Sequence, residues 1–107
     1  MTPEGRVKAM IKRQMECLPG SYRFMPMQNG MGAPALDFYY CVNGYFIAIE
    51  AKAPGKWYTP RQEATRDAIR VSGGRVYLVD GPLSMKRALE DITQHCMPRC
   101  PKQTFEP

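Results

Sequence analysis

Histidine is nearly missing from this chain: His95 is the single one in 107 residues, and it stands with a single tryptophan and four cysteines. A cysteine–histidine nucleophilic centre therefore has one possible base, and no sequence context supports it. No apolar run approaches the roughly 18 residues that a membrane-spanning helix needs. The start, Met1-Thr2-Pro3-Glu4-Gly5-Arg6, lacks the apolar segment of a signal peptide, so no membrane association and a cytoplasmic location are expected. In that setting Cys17, Cys41, Cys96 and Cys100 read as thiols, although four cysteines would suffice for two bridges. A zinc site from His95, Cys96 and Cys100 with Cys17 is disfavoured, because the spacing departs from paired ligand motifs and Pro98 and Pro101 suit a loose tail.

What the chain does carry is an excess of base, 15 Lys and Arg against 10 Asp and Glu for a net charge of +5, with 44% hydrophobic residues. That composition excludes a disordered tail. The length suits one domain over residues 1–107, with a core at about 2–95 and an irregular tail at 96–107. A net positive charge points to an anionic partner. Acid is scarce in an informative place: between residues 24 and 51 the only charged side chains are Asp37 and Glu50, each within an apolar segment. Burying an unpaired carboxylate costs several kcal/mol, so such residues need a partner, a metal or an escape to solvent at a strand edge.

Thr2-Pro3 reads as an N-cap and first helical residue, and Val7, Met10, Ile11, Met15 and Leu18 then recur at helical spacing until Pro19-Gly20. The spacing predicts a helix over 3–18. Residues 21–27 have strand composition, with Pro26 marking an edge or an early exit from pairing, and a loop rich in glycine and proline covers 28–34. Two β-rich runs, 36–42 and 45–52, flank Asn43-Gly44, the strongest short-range signal for a two-residue type I′ hairpin. A two-residue turn pairs Val42 with Tyr45, Tyr39 with Ala48 and Asp37 with Glu50. The two lone carboxylates then face each other with Cβ atoms about 4.5–5.5 Å apart, where like charges repel, and Lys52 falls on the same face as Glu50. A second helix opens at Thr59-Pro60, runs to about Arg70 and closes at Gly73-Gly74. A short strand over 75–79 follows, and Ser84 can cap a third helix carrying Met85, Ala88, Leu89 and Ile92. Helix, three strands, helix, strand and helix make a mixed α/β domain.

Metal-assisted phosphodiester hydrolysis needs a divalent cation on oxygen ligands, a water, and positive charge near the phosphate. Asp37, Glu50 and the Ala51 backbone carbonyl form an oxygen set suited to Mg²⁺ or Mn²⁺, which accept such ligands alongside several waters. Lys52, a compact point charge, can orient the water or neutralise the phosphate. It can equally form a simple salt bridge with Glu50.

Gly32-Ala33-Pro34-Ala35-Leu36-Asp37, followed by the hairpin and Ile49-Glu50-Ala51-Lys52, resembles the metal site of the PD-(D/E)xK nuclease superfamily. The continuation through Ala53-Pro54-Gly55-Lys56, Thr59-Pro60-Arg61-Gln62 and Gly73-Gly74-Arg75-Val76 resembles its VRR-NUC branch. The likeness covers residues 2–81. One departure is that Ala35-Leu36 separate Pro34 from Asp37, where the family has Pro-Asp together. The resemblance implies a restriction-endonuclease-like αβββαβ core with an extra C-terminal helix. It implies a metal-dependent endonuclease in which Asp37 and Glu50 hold Mg²⁺ or Mn²⁺, Lys52 is the catalytic lysine, Glu4 binds a metal or its water, and Gln62 completes the site. Gln62 is also explained by a capping box with Thr59, and Glu4 by the dipole of the helix it opens.

Phosphate contacts are expected from Lys8, Lys12, Lys56, Arg61, Arg66 and Arg70, and base stacking or a wedge from Trp57 and Tyr58, which could otherwise cap the core. Small stand-alone nucleases of this family resemble symmetric dimers, which suits a homodimer cutting four-way (Holliday) junctions, in a bacterial or phage-infected cell. The alternatives are a nuclease acting on flap or plain duplex DNA and a non-catalytic basic DNA-binding module.

Overall fold

The computed structural model describes residues 1–28 and 32–98. Asn29, Gly30 and Met31 of the expected loop, and most of the expected irregular tail with Cys100 and Pro101, lie outside the described residues. Helix α1 (Pro3–Met15) starts where its signals place it, with the Thr2 hydroxyl accepting from the Gly5 N–H at 3.0 Å and Pro3 at the first position. It ends earlier than expected. The carbonyls of Gln14 and Met15 are taken by the amides of Cys17 and Leu18 in tight turns, so the helix stops at Met15.

Strands β1 (Ser21–Phe24), β2 (Phe38–Val42), β3 (Tyr45–Ala51) and β4 (Arg75–Val79) form one sheet in the order β1-β2-β3-β4. The first three make an antiparallel meander, and β4 runs parallel to β3. β1 stops before Pro26, which has no N–H to offer a ladder. At the hairpin, Asn43 and Gly44 have φ of 51° and 87°, the two positive values a type I′ turn demands. The register is the expected one, with Val42 opposite Tyr45 and Tyr39 opposite Ala48. The ladder ends at Phe38 and Ile49, two residues short of the strand expected from 36. The Asp37 N–H goes to the Glu50 side chain rather than to β3 backbone.

The β3-α2-β4 crossover puts α2 (Pro60–Val71) on one face of the sheet, while α1 and α3 (Pro82–His95) cover the other. The main core unites Val7, Ile11 and Met15 with Phe38, Ile47, Ile49, Met85 and Ile92. A smaller one joins Leu36, Ala48, Tyr58 and Val76 beneath α2, which itself has no fully buried residue. Ser84 is not the cap of α3. Pro82 sets the helical φ two residues earlier, Gly81 is the N-cap, and the Ser84 hydroxyl instead accepts from the Asp80 N–H at 2.9 Å and donates to its carboxylate at 2.8 Å. Among the described residues no helix is long and apolar enough to cross a membrane.

Candidate active site

Alternation along β3 sends Ile47, Ile49 and Ala51 into the main core and Ala48 and Glu50 to the opposite face, beneath the start of α2. Asp37, just before β2, meets Glu50 there. Their link is reciprocal: the Asp37 N–H donates to Glu50 Oε1 at 3.1 Å, and the Ala51 N–H donates to Asp37 Oδ2 at 3.0 Å. Side-chain oxygens thus replace the next rung of the ladder and hold both carboxylates at the end of the hairpin.

Glu50 is only 3% exposed. Burial, and then the Asp37 charge, push its carboxyl up from 4.5 to about 7, against the opposing pull of the Asp37 amide and of Lys52. Lys52 Nζ lies 3.9 Å from Glu50 Oε2, so the salt bridge weighed from the sequence forms. Gln62 serves two purposes. Its Oε1 accepts from the Thr59 N–H at 3.0 Å, completing a capping box, while its Nε2 donates to Glu50 Oε2 at 2.7 Å. The cap fixes the side chain that in turn fixes the carboxylate.

Glu4 stands at the margin. Its carboxylate is 3.7 Å from Lys8 Nζ, which is also 3.7 Å from Asp37 Oδ1, so Glu4 reaches the pair through Lys8. Lys8, expected as a phosphate contact, therefore sits in the site itself. Sequence reasoning missed Gln28, whose Nε2 donates to Asp37 Oδ1 at 3.3 Å; nothing local marks it, since the contact is made by the chain's return from β1.

The other expected contacts divide. Lys12 lies one turn further along α1, and Arg61 is exposed at the start of α2. Arg66 pairs with Asp67 and Glu63 and lies 5.0 Å over the Tyr58 ring. Arg70 donates to the Val76 carbonyl at 3.0 Å. Tyr58 is 7% exposed and belongs to the smaller core, the alternative to stacking weighed from the sequence, whereas Trp57 is 62% exposed and meets Tyr58 edge-on at 5.1 Å. Cys96 is buried in the main core, whereas Cys17 and Cys41 are exposed.

The donor chemistry suits a hard divalent cation. Two carboxylates repel each other in a buried place, each oxygen keeps a lone pair beyond its present hydrogen bond, and a cation between them would relieve the repulsion. No three His, Cys, Asp or Glu side chains among the described residues group to hold a metal. Two carboxylates completed by a backbone carbonyl and water is the kind of set Mg²⁺ accepts.

The mixed sheet gathers two carboxylates, a lysine and a glutamine at its hairpin end. No protein-family model matches the chain, and no curated protein matches it. Among solved structures it is similar to a chain described as a "VRR_NUC domain", with a TM-score of 0.68 and 24% identity, over 89% of this chain and 98% of that one. The chain therefore has the fold of a VRR_NUC domain, the restriction-endonuclease-like α/β arrangement that the sequence implies, with α3 as the added helix.

Proposed function

We propose that this chain is a Mg²⁺- or Mn²⁺-dependent endodeoxyribonuclease that hydrolyses phosphodiester bonds in branched DNA, four-way junctions in particular, as a cytoplasmic homodimer. The observation that carries the reading is the convergence of Asp37, Glu50, Lys52 and Gln62 at one end of the hairpin, in a fold shared with a VRR_NUC domain. Asp37 and Glu50, with the Ala51 carbonyl, are the groups that would hold the cation. When bound, it supplies Lewis acidity at the scissile phosphate and a more acidic water. Gln62 and the Asp37 amide orient the Glu50 carboxylate, and Gln28 and the Ala51 amide orient that of Asp37. Lys52, partly buried beside Glu50, would neutralise charge developing on the phosphate. Glu4 and Lys8 tune the charge at the open side of the site.

The homodimer reading draws on an uncovered apolar face. Tyr22, Phe24 and Phe46 are 72%, 59% and 52% exposed on the sheet side that α2 leaves bare. Two joined sites could cut opposed strands of one junction.

The test is to incubate the purified chain and Mn²⁺ with labelled linear, flap, splayed and four-way DNAs. Cleavage is expected, strongest on the four-way substrate, and Asp37→Asn, Glu50→Gln and Lys52→Ala should each lower it at least about 100-fold while binding is kept. A folded protein that binds DNA and cuts none of them would instead be the basic binding module.

A further inference from the structure

β4 is the last strand of the sheet, and along its free edge lies a cavity of about 590 Å³ between the 55–58 loop, α2 and the first turns of α3. Its walls include Lys56, Trp57, Arg70, Asp80 and Arg87. Arg87 belongs to no motif that the metal site uses. Resting on the endonuclease reading, we propose that this cavity takes one unpaired nucleotide of the substrate strand, with its phosphate on Lys56 and Arg87 and its base on Trp57. Cleavage is thereby directed to branch points, four-way junctions included, where a nucleotide can leave the stack.

The volume falls within the range of pockets that enclose a ligand of nucleotide size. Lys56 and Arg87 are exposed and have no carboxylate partner among the described residues, so both are available to a phosphate. Arg70 is tied to the Val76 carbonyl and Arg66 to Asp67 and Tyr58, which makes them fixed positive walls rather than mobile contacts. Trp57 is the exposed ring, and Tyr58 beneath it is its support. Asp80 decides against a bare anion: its carboxylate, held by the Gly55 N–H at 3.1 Å and the Ser84 hydroxyl, repels phosphate but accepts from a base N–H. The cavity adjoins the metal site. Leu78 in its wall is the register partner of Glu50, one strand spacing of about 4.8 Å away. A base inside a duplex must break its stack to enter, whereas an unpaired one has little to lose.

Trp57 is the only tryptophan, so its emission reports the cavity directly. The full chain is titrated in EDTA with a duplex carrying a single-stranded tail, a blunt duplex and inorganic phosphate. The tailed DNA is expected to quench Trp57 and the other two to leave it bright. Arg87→Gln, an exposed change on α3 that spares the core, should weaken the tailed DNA about 10-fold more than the blunt one, and Trp57→Ala should do the same by anisotropy. Equal loss on both DNAs, an unquenched Trp57, or quenching by phosphate alone overturns the inference. A chain that quenches on the tail but cuts no DNA with Mn²⁺ keeps the nucleotide site and loses the endonuclease reading; one that cuts with Trp57 unquenched does the reverse.

Discussion

Glu50 answers two opposed demands. The fold buries it and sets it against Asp37, and both effects disfavour its charged form, yet a cation ligand must be charged. Folding raises its carboxyl from 4.5 to about 7. The resulting penalty on the folded chain is therefore absent below pH 4.5, grows as the pH rises and is complete above about 7. In EDTA, Glu50→Gln should make the protein more stable at pH 8, by on the order of 1–3 kcal/mol, and little different at pH 4.5. Urea unfolding at the two pH values measures this, and a variant no more stable than its parent at pH 8 would show that the buried charge carries no penalty. Lys52, Gln62 and the Asp37 amide offset part of that cost.

At the scale of elements, the informative unit is the start of α2. Thr59 caps the helix through the Gln62 N–H at 3.2 Å, and Gln62 closes the box before reaching on to Glu50. Stability and site geometry thus share one side chain. Thr59→Ala should cost about 1 kcal/mol, the ordinary value of an N-cap, and should also slow cleavage several-fold because Gln62 loses half of its support. Thermal melts and single-turnover rates with Mn²⁺ read the two effects. A loss of stability with an unchanged rate would separate the cap from the site. The hairpin has the same economy: the Asn43-Gly44 turn sets the register, and the register brings Asp37 to Glu50.

Across the whole molecule the two faces of the sheet are unequal. α1 and α3 seal one, while α2 shields the other only on the β3–β4 side and leaves Tyr22, Phe24 and Phe46 in water. Contiguous apolar surface of this kind marks an interaction face. If it joins two copies, light scattering should give twice 12.2 kDa. Phe24→Glu, on an exposed edge strand, should return the 12.2 kDa monomer with its unfolding midpoint nearly unchanged. A wild-type chain that stays monomeric at micromolar concentration would leave that face to another partner.

By itself the sequence determined what depends on neighbours along the chain. The caps at Thr2 and Thr59, the Asn43-Gly44 turn and the alternation through β3 are local rules of backbone geometry, and together they specify the hairpin register and hence the pairing of Asp37 with Glu50. Where backbone groups found side-chain partners, the outcome departs from the local expectation: the Asp37 amide left the ladder for Glu50, and the Ser84 hydroxyl took the Asp80 amide instead of capping α3. Only the tertiary structure decided the contacts between distant segments. The placement of Gln28 and Lys8 on Asp37, the covering of Tyr58 by Arg66, and the meeting of Lys56 with Arg87 at the edge of β4 each depend on how helices dock against the sheet. Docking is set by the burial of whole faces, and no spacing of residues along one element records which side chain of another will arrive there.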